Sequence, residues 1–591
     1  MKIGRSLITT TACFFIAIAW ANNPNYSVIV LGSEPEAIAA AISSAESGAK
    51  TLLISTDTRL GGLFVEGMLN MLDLRTQPYN YQGGLFKRWW DLVGGSSSFD
   101  VLEAEEAFRV LLVEAGVDFK LSSGPIKLEI DANHRILGVW VDSDLYVTDQ
   151  VIDGTSEMSI AAKAGANYTL GFSSIGLNAR MADTLVFRII GVNWDELTQG
   201  IRLRGPGYAK SDPNAAWGHF GGYPAAYESL DPNMRLRGLN LGRQRDGSIL
   251  VNALLIHGLD PFSPDSLRLG RDRATSEASE VVKYLSQGIP GFQEAQLAGV
   301  ADRLYLRDTR HLDAVCKLTI NDIIENRVTP HDVATGGYPL DVQPLSLFDS
   351  GFVFGTPEIY GARLCMTVPN NLDGLWVVGK TVGFDPLAAS SARVVPFGMA
   401  LGEAVGVAAS KASSENMTPH MLIKNISIQQ EIRSELLARG AILPPLHDKK
   451  PLGPNSHPNY QAYRLLLSRG LAVGGYDNNP NLNEPMSILN YLYLLSNVGT
   501  RFLNNSHLGQ ALIDLYGTPD RSLTPELALE ITNVAACLAS SCPLSSNQNP
   551  LLDVNLLSLD MHLSDPISRG QMYQLATTIA GLNLFDLSTS Q

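Results

Sequence analysis

Basic charge, cysteine, histidine and long apolar runs are all scarce in this chain, and each scarcity removes a class of function. The 591 residues carry 44 Lys and Arg against 59 Asp and Glu, a net charge of −15. Binding to nucleic acid demands a basic face against phosphate, so this balance excludes it as a main role. It also disfavours an anionic membrane surface and otherwise describes a soluble acidic one. The five cysteines are Cys13, Cys316, Cys365, Cys537 and Cys542. No Cys and His spacing of the metal-ligand kind occurs, so no metal is expected. The first histidine is His134, which leaves the N-terminal region without a histidine tether for a covalently held group. Paired catalytic carboxylates are not evident.

The apolar run near the start is too short for a membrane span. Residues 1–21 instead read as an export signal: Lys2 and Arg5 are the basic start, Leu7 to Trp20 is mostly apolar, and Ala19-Trp20-Ala21 is a small-x-small cleavage site. No twin-arginine pair is present, and Cys13 lacks the leucine three residues earlier that a lipoprotein signal would carry. The expectation is an exported protein, periplasmic, envelope-associated or secreted, with no span after the signal is removed. Cys537 and Cys542 then form either a local disulfide or two buried thiols.

What is abundant is glycine, 53 residues, alongside 45% hydrophobic residues. Two glycine-rich segments stand far apart, Tyr26 to Ser55 and Gly374 to Ala409. Each reads as an apolar strand, a glycine turn and a small-residue helix. Tyr26 to Leu31 is a continuous apolar run of the kind a buried parallel strand shows. Glu36 to Ser47 is alanine-rich and helical, Gly48 stops it, and Lys50 to Ile54 is the next strand. After Leu60-Gly61-Gly62 the chain reads as loop. Phe99 to Ala115 is helical, and Val147 to Ile152 is a strand ended by Asp153-Gly154. The expected fold class is α/β, a Rossmann-like (βαβ) domain over 22–165 and 346–445 with an inserted substrate region over 166–345, rich in Arg, Gly and Pro. His447 to Pro458 is polar and proline-rich, so 446–458 is expected to be a linker. A small all-α domain follows over 459–591.

That last region holds a weak repeat. Asn483, Leu523 and Ser564 begin three similar stretches, whose Pro485, Pro525 and Pro566 are evenly spaced. Each stretch is a turn, a proline and an amphipathic helix. The pattern resembles the surface-layer homology repeat, which implies attachment to a cell-envelope polymer; a plain helical domain is the other reading.

A strand-glycine-helix turn binds pyrophosphate because helix N-terminal N–H groups face the anion. Here the turn is Gly32-Ser33-Glu34-Pro35-Glu36-Ala37, against the common GxGxxG. Glu34 replaces the second glycine and would repel pyrophosphate; Pro35 is comfortable in a first helical turn. The acid expected at the end of the second strand is missing, and Ser55-Thr56-Asp57 stands there.

These residues, with RLGGLFVEGMLNMLD from Arg59, LRDTRHL from Leu306 and ASSARVVPFGMALGEAVGVAA from Ala389, resemble the bacterial FAD-dependent oxidoreductase family, in a branch reading G-x-E/D-P-E-G/A. The resemblance covers about residues 26–412. It implies non-covalent FAD, held by Gly32, Ser33, Glu36, Ala37, Ser55, Thr56, Gly61, Gly62, Gly379, Ser391, Arg393, Gly398 and Met399. It also implies that the helix after Pro396-Phe397-Gly398 aims its N-terminus at the flavin pyrimidine ring. Ala400, Gly402 and Gly406 read equally well as tight helix packing.

Hydride transfer to a flavin needs a proton acceptor and a cation for the substrate. The run Arg307-Asp308-Thr309-Arg310-His311 supplies both most densely. At strand or helical spacing Arg307 and His311 share a face, with His311 as base. The catalytic candidates are therefore Arg307, His311 and Arg310, with Tyr338 and Asp341 second. A structural Arg–Asp network is the alternative for the run. The partner expected at the site is a small-molecule substrate; a non-catalytic envelope binding protein and a carbohydrate-active enzyme are the rival functions.

Overall fold

The computed structural model describes residues 26–72, 74, 81, 83–205, 207–444, 450–539 and 563–581. Residues 1–21, where an export signal is expected, lie outside the described residues with Cys13, as does Cys542.

Tyr26–Leu31 (β1) is apolar almost throughout and lies buried at the centre of a parallel sheet. It pairs with Thr51–Ile54 (β2) in the register Val28↔Thr51, and on its other side with Asp144–Asp153 (β3), Val28↔Gln150. Leu375–Val377 (β4) adds to the far side of β3, Val377↔Asp153, so the late glycine segment closes the sheet that the first one opened. Asp118–Lys120 extends the other edge, and the hairpin Ile126–Ile130 with Ile136–Val141 pairs antiparallel to the start of β3.

Pro35–Glu46 (α1) joins β1 to β2. Its proline sits in the first turn, where no backbone donor is needed. After β4 come Pro386–Ala392 (α2) and Val395–Ser414 (α3), bent by 95° to each other. α3 lies against α1 with backbones close together: a Cβ on Gly402 would stand 2.4 Å from the Glu36 carbonyl oxygen. Ser43 Oγ donates across the same interface to the Glu403 carbonyl, 2.7 Å. No single described helix is long and apolar enough to cross a membrane; α2 and α3 pass that test only as a bent pair, and α3 is core.

The stretch after Gly62 is not all loop. Gly62–Val65 and Gly84–Leu92 are helices, joined by an aromatic cluster in which Trp89 stacks 5.1 Å from Phe64 and 5.0 Å from Phe108. Both helices are too short to show a 3.6-residue period in sequence.

The inserted region is more regular than its composition suggests. A six-stranded antiparallel sheet runs Gln296–Val300, Asp183–Ile190, Ile249–Ile256, Met234–Arg243, Ala215–Gly218, Lys210–Ser211. The helix Pro264–Gly288 packs on it over a second hydrophobic core. Alternation is blurred because Met234–Arg243 carries Arg235, Arg237 and Asn240 on half-exposed positions and is bulged between Leu236 and Asn240.

One disulfide is not legible in the sequence. Cys316 and Cys365 form a disulfide. Cys537 is disulfide-bonded, while Cys542 lies outside the described residues. The expected linker packs where it is described: the Leu452 N–H donates to the Ile324 carbonyl, 2.6 Å, and Leu452 is buried. In the C-terminal region the helices Ile488–Phe502 and Arg569–Ala580 begin three residues after Pro485 and Pro566, and Pro525–Ala539 begins at its proline. The residues just ahead of them close a ring of hydrogen bonds: Met486 N–H to Ile567 carbonyl, Ile567 N–H to Leu523 carbonyl, Leu523 N–H to Met486 carbonyl.

Candidate active site

The turn after β1 and the end of β4 face one cleft. Gly32 has φ +108°, and a Cβ there would stand 2.5 Å from the Gly154 carbonyl oxygen, so only glycine fits. Ala37 fills the contact between α1 and Gly154. Gly379, φ +96°, has open space where a Cβ would point and lines the cleft, a place where a ligand can approach backbone.

Glu34 does not present a free carboxylate to this cleft. Its Oε2 accepts from the Leu63 N–H at 2.9 Å, and its Oε1 lies 2.6 Å from Arg303 Nη2. Arg303 also reaches Glu66, 3.3 Å, and Asp57, 3.5 Å. These carboxylates hold the Arg303 guanidinium well above its ordinary range despite burial. Ser33 Oγ and Ser55 Oγ donate to the same Asp57 oxygen, at 2.6 and 3.0 Å. Asp57 therefore stands where the missing ribose acid would be, beside Ser55; Thr56 is exposed. Glu36 lines the cleft from its floor, and burial first, then Glu34, pushes its carboxyl up to about 8. At neutral pH it is mostly uncharged. Lys380, at the cleft, binds Glu157 at 2.7 Å. Beside the phosphate turn Arg303 is shared by Glu34, Asp57 and Glu66, Lys380 is paired with Glu157 and Glu36 is mostly neutral, so the acids are held aside and the N-terminus of α1 is the anion site that fits a dinucleotide pyrophosphate.

The other proposed cofactor residues divide into two groups. Arg393 lines the cleft; its Nη1 donates to Tyr305 Oη at 2.8 Å and its Nε is buried without a partner. Gly61, Gly62, Gly398, Ser391 and Met399 do not line it. A Cβ on Gly62 would meet the Glu34 carboxylate, and one on Gly398 the Glu36 side chain, so both glycines make room for these acids. Ser391 is buried and bonds Tyr360 Oη, 2.8 Å, and the Tyr338 carbonyl. Met399 is core.

The run from Arg307 to His311 is not one constellation. Arg307 lines the cleft and donates to the Ala182 carbonyl, 2.9 Å, and Thr184 Oγ1, 2.6 Å. His311 is buried with Nε2 2.8 Å from Asp308 Oδ1, and Arg310 is stacked on Phe262 and bonded to the Glu157 carbonyl. Neither lines the cleft. Only Arg310–Leu312 is strand, paired with Tyr168–Leu170, so the face shared by Arg307 and His311 in a continuous element does not form.

The cleft opens into a cavity of about 150 Å³ beneath the inserted sheet, and Tyr305, Arg307, Arg393 and Val395 border both. The first turn of α3 starts at this seam. Tyr338 and Asp341 lie on the cavity wall, with Arg237 and Gln343. The sequence reading missed Arg303, Tyr305, Arg237 and Lys380. A signal for two of them existed: Arg303-Leu304-Tyr305-Leu306-Arg307 alternates polar and apolar with period two.

The FAD dependent oxidoreductase family model matches residues 27–436, and the chain belongs to that family. It is an FAD-dependent oxidoreductase. No curated protein matches it in sequence. Among solved structures, similarity extends to flavin-dependent brominase Bmp2 (10% identity, 76% of this chain and 94% of that chain, TM-score 0.36). It extends also to a geranylgeranyl bacteriochlorophyll reductase-like protein from Thermoplasma acidophilum (13%, 71% and 85%, TM-score 0.33) and to glycine oxidase from Bacillus cereus ATCC 14579 (10%, 67% and 97%, TM-score 0.32). At identities and scores this low none of them informs the substrate.

Proposed function

We propose that this oxidoreductase is exported and oxidises a small organic molecule bound beneath the inserted sheet. The observation that carries the reading is the shared wall: Tyr305, Arg307, Arg393 and Val395 border both the cofactor cleft and the sheet-lined cavity, so a substrate in one lies next to a ligand in the other. Flavin, when bound, supplies hydride acceptance. The chain's own residues orient the substrate and take its proton. Asp341, the carboxylate on the cavity wall, is the proton acceptor we assign, in place of His311; Tyr305 supplies a hydroxyl at the seam that can hydrogen-bond the substrate. Arg393 and the N-terminus of α3 favour negative charge at the seam.

Export is supported by residues 1–21 and by the Cys316–Cys365 disulfide, a bond that persists in oxidising compartments. Attachment to an envelope polymer is supported by the closed ring of Met486, Leu523 and Ile567, each two residues ahead of its helix. The test is purification from an export compartment. The protein should be yellow, acid precipitation should release the flavin into the supernatant, and an anaerobic screen of alcohols, amines, acids and sugars should find a compound that bleaches it. A colourless protein that takes up no FAD would refute the reading.

A further inference from the structure

The cavity beneath the inserted sheet carries more positive charge than the protein neutralises. Arg237, Arg307 and Arg393 all reach it, and none forms an ion pair among the described residues. Their partners are neutral oxygens: Gln343 Oε1 for Arg237, the Ala182 carbonyl and Thr184 Oγ1 for Arg307, Tyr305 Oη and the Asp341 main-chain oxygen for Arg393. The one carboxylate on the wall, Asp341, accepts from Gln343 Nε2 at 2.5 Å. Arg307 is only 4% exposed, and burial, with Arg393 and Arg237 adding, pushes its guanidinium down to about 10 against the pull of Tyr305 and Asp183. Like charges gathered out of water are costly unless an anion joins them.

The opposite wall is built for a specific small molecule. Trp217, Asn240 and Asn252 form a row across three strands, paired Trp217↔Asn240 and Asn240↔Asn252, and all three line the cavity. Neither amide makes a side-chain hydrogen bond within the described protein, so both are free to bind a ligand. Leu69, Met71 and Leu72 supply an apolar side. A cavity of about 150 Å³ is of the size that admits a benzene ring when its lining is apolar.

We propose that the substrate is a small organic carboxylate, its anion held between Arg237 and Arg307 and its body against Trp217 and the two asparagines. Planar guanidinium forks match a carboxylate with paired hydrogen bonds. Arg393, which borders both spaces, is left to the cofactor side. The inference rests on the proposed substrate location, and its test separates the two.

Holoprotein is titrated at constant ionic strength with benzoate and propionate, with their amides, and with phenylphosphonate, reading the visible flavin spectrum and, independently, the heat of binding. The carboxylates should bind saturably and perturb the spectrum, and the amides should bind roughly 10²-fold more weakly, the scale for losing one partner of a buried charge pair. Arg237→Gln should weaken the carboxylates while flavin content stays full, and Arg307→Gln should weaken them to a similar extent. Amides that bind as tightly as acids, carboxylates that do not bind, or a phosphonate that binds tighter would each overturn the carboxylate assignment. The comparison of acid with amide in the unaltered protein decides the matter even if a variant fails to fold. Calorimetry reads the anion without flavin, so a protein lacking flavin would refute the oxidoreductase reading alone. A holoprotein bleached by a neutral compound and indifferent to carboxylates would refute only this inference.

Discussion

Arg303 Nη2 stands 2.6 Å from Glu34 Oε1, although the two residues lie 269 positions apart in the chain. This pair explains how a dinucleotide turn tolerates a carboxylate in place of its second glycine. The acid is drawn aside by a cation from the strip that leads out of the inserted sheet, and by the Leu63 N–H. Arg303 then remains at the cleft as a cation near the pyrophosphate position.

Removing one partner should therefore be worse than removing both. Arg303→Gln should weaken FAD binding by roughly 10–100-fold, since it leaves Glu34 unpaired beside phosphate. Glu34→Gly together with Arg303→Gln should recover much of that loss. FAD dissociation constants for the double-mutant cycle are the measurement. Additive losses would mean that the pair has no electrostatic role.

Gly32→Val should abolish flavin binding. The new Cβ would stand 2.5 Å from the Gly154 carbonyl oxygen, on a backbone at φ +108° that branched residues do not adopt. Full flavin content in the purified variant would show that the phosphate loop lies elsewhere.

Arg393→Ala should lower the flavin reduction potential by about 30 mV or more, equivalent to ~1.4 kcal/mol for two electrons, or leave the site empty. A cation at the seam favours the reduced, anionic flavin. A redox titration with the potential unchanged at full occupancy would reduce Arg393 to a support for Tyr305.

Glu36 should make stability fall with rising pH. Its carboxyl, near 4.5 when unperturbed and about 8 in the fold, holds its proton more tightly folded than unfolded. Its contribution is fully present below pH 4.5 and is lost progressively up to about pH 8. The total is on the order of 5 kcal/mol, at about 1.4 kcal/mol for each pH unit between the two values. Glu403, pushed up to about 7 by burial, acts in the same direction. Urea unfolding of wild type and Glu36→Gln from pH 5 to 8 should show the variant with the flatter profile. Parallel profiles would place the Glu36 carboxyl in contact with water.

The elements nearest the phosphate turn were readable because they depend on neighbours in the chain. Apolar runs, an alanine-rich stretch and glycine turns fixed by local sterics announce β1, α1 and β2 within a residue or two, and the late strand and small-residue helix without their exact bounds or the separate helix α2 between them. Motif resemblance supplied FAD and the family. The packing role of Gly402 and Gly406 was equally visible as a stripe at helical spacing.

Which side chains meet is a different matter, because it depends on register and on returns of the chain that no local pattern encodes. Arg303 reaches Glu34 only because the strip after Gln296–Val300 runs back along the cleft. Trp217, Asn240 and Asn252 become a row only through strand pairing, and their polar faces hide the alternation that would have revealed the strands. His311 loses its place at the site because a short strand turns it toward Asp308, while Arg307 keeps its place beside Tyr305. Cys316 finds Cys365 by the same long-range route. Local sterics and hydrophobic period wrote the cofactor half of this protein into its sequence; the substrate half exists only once distant strands have paired.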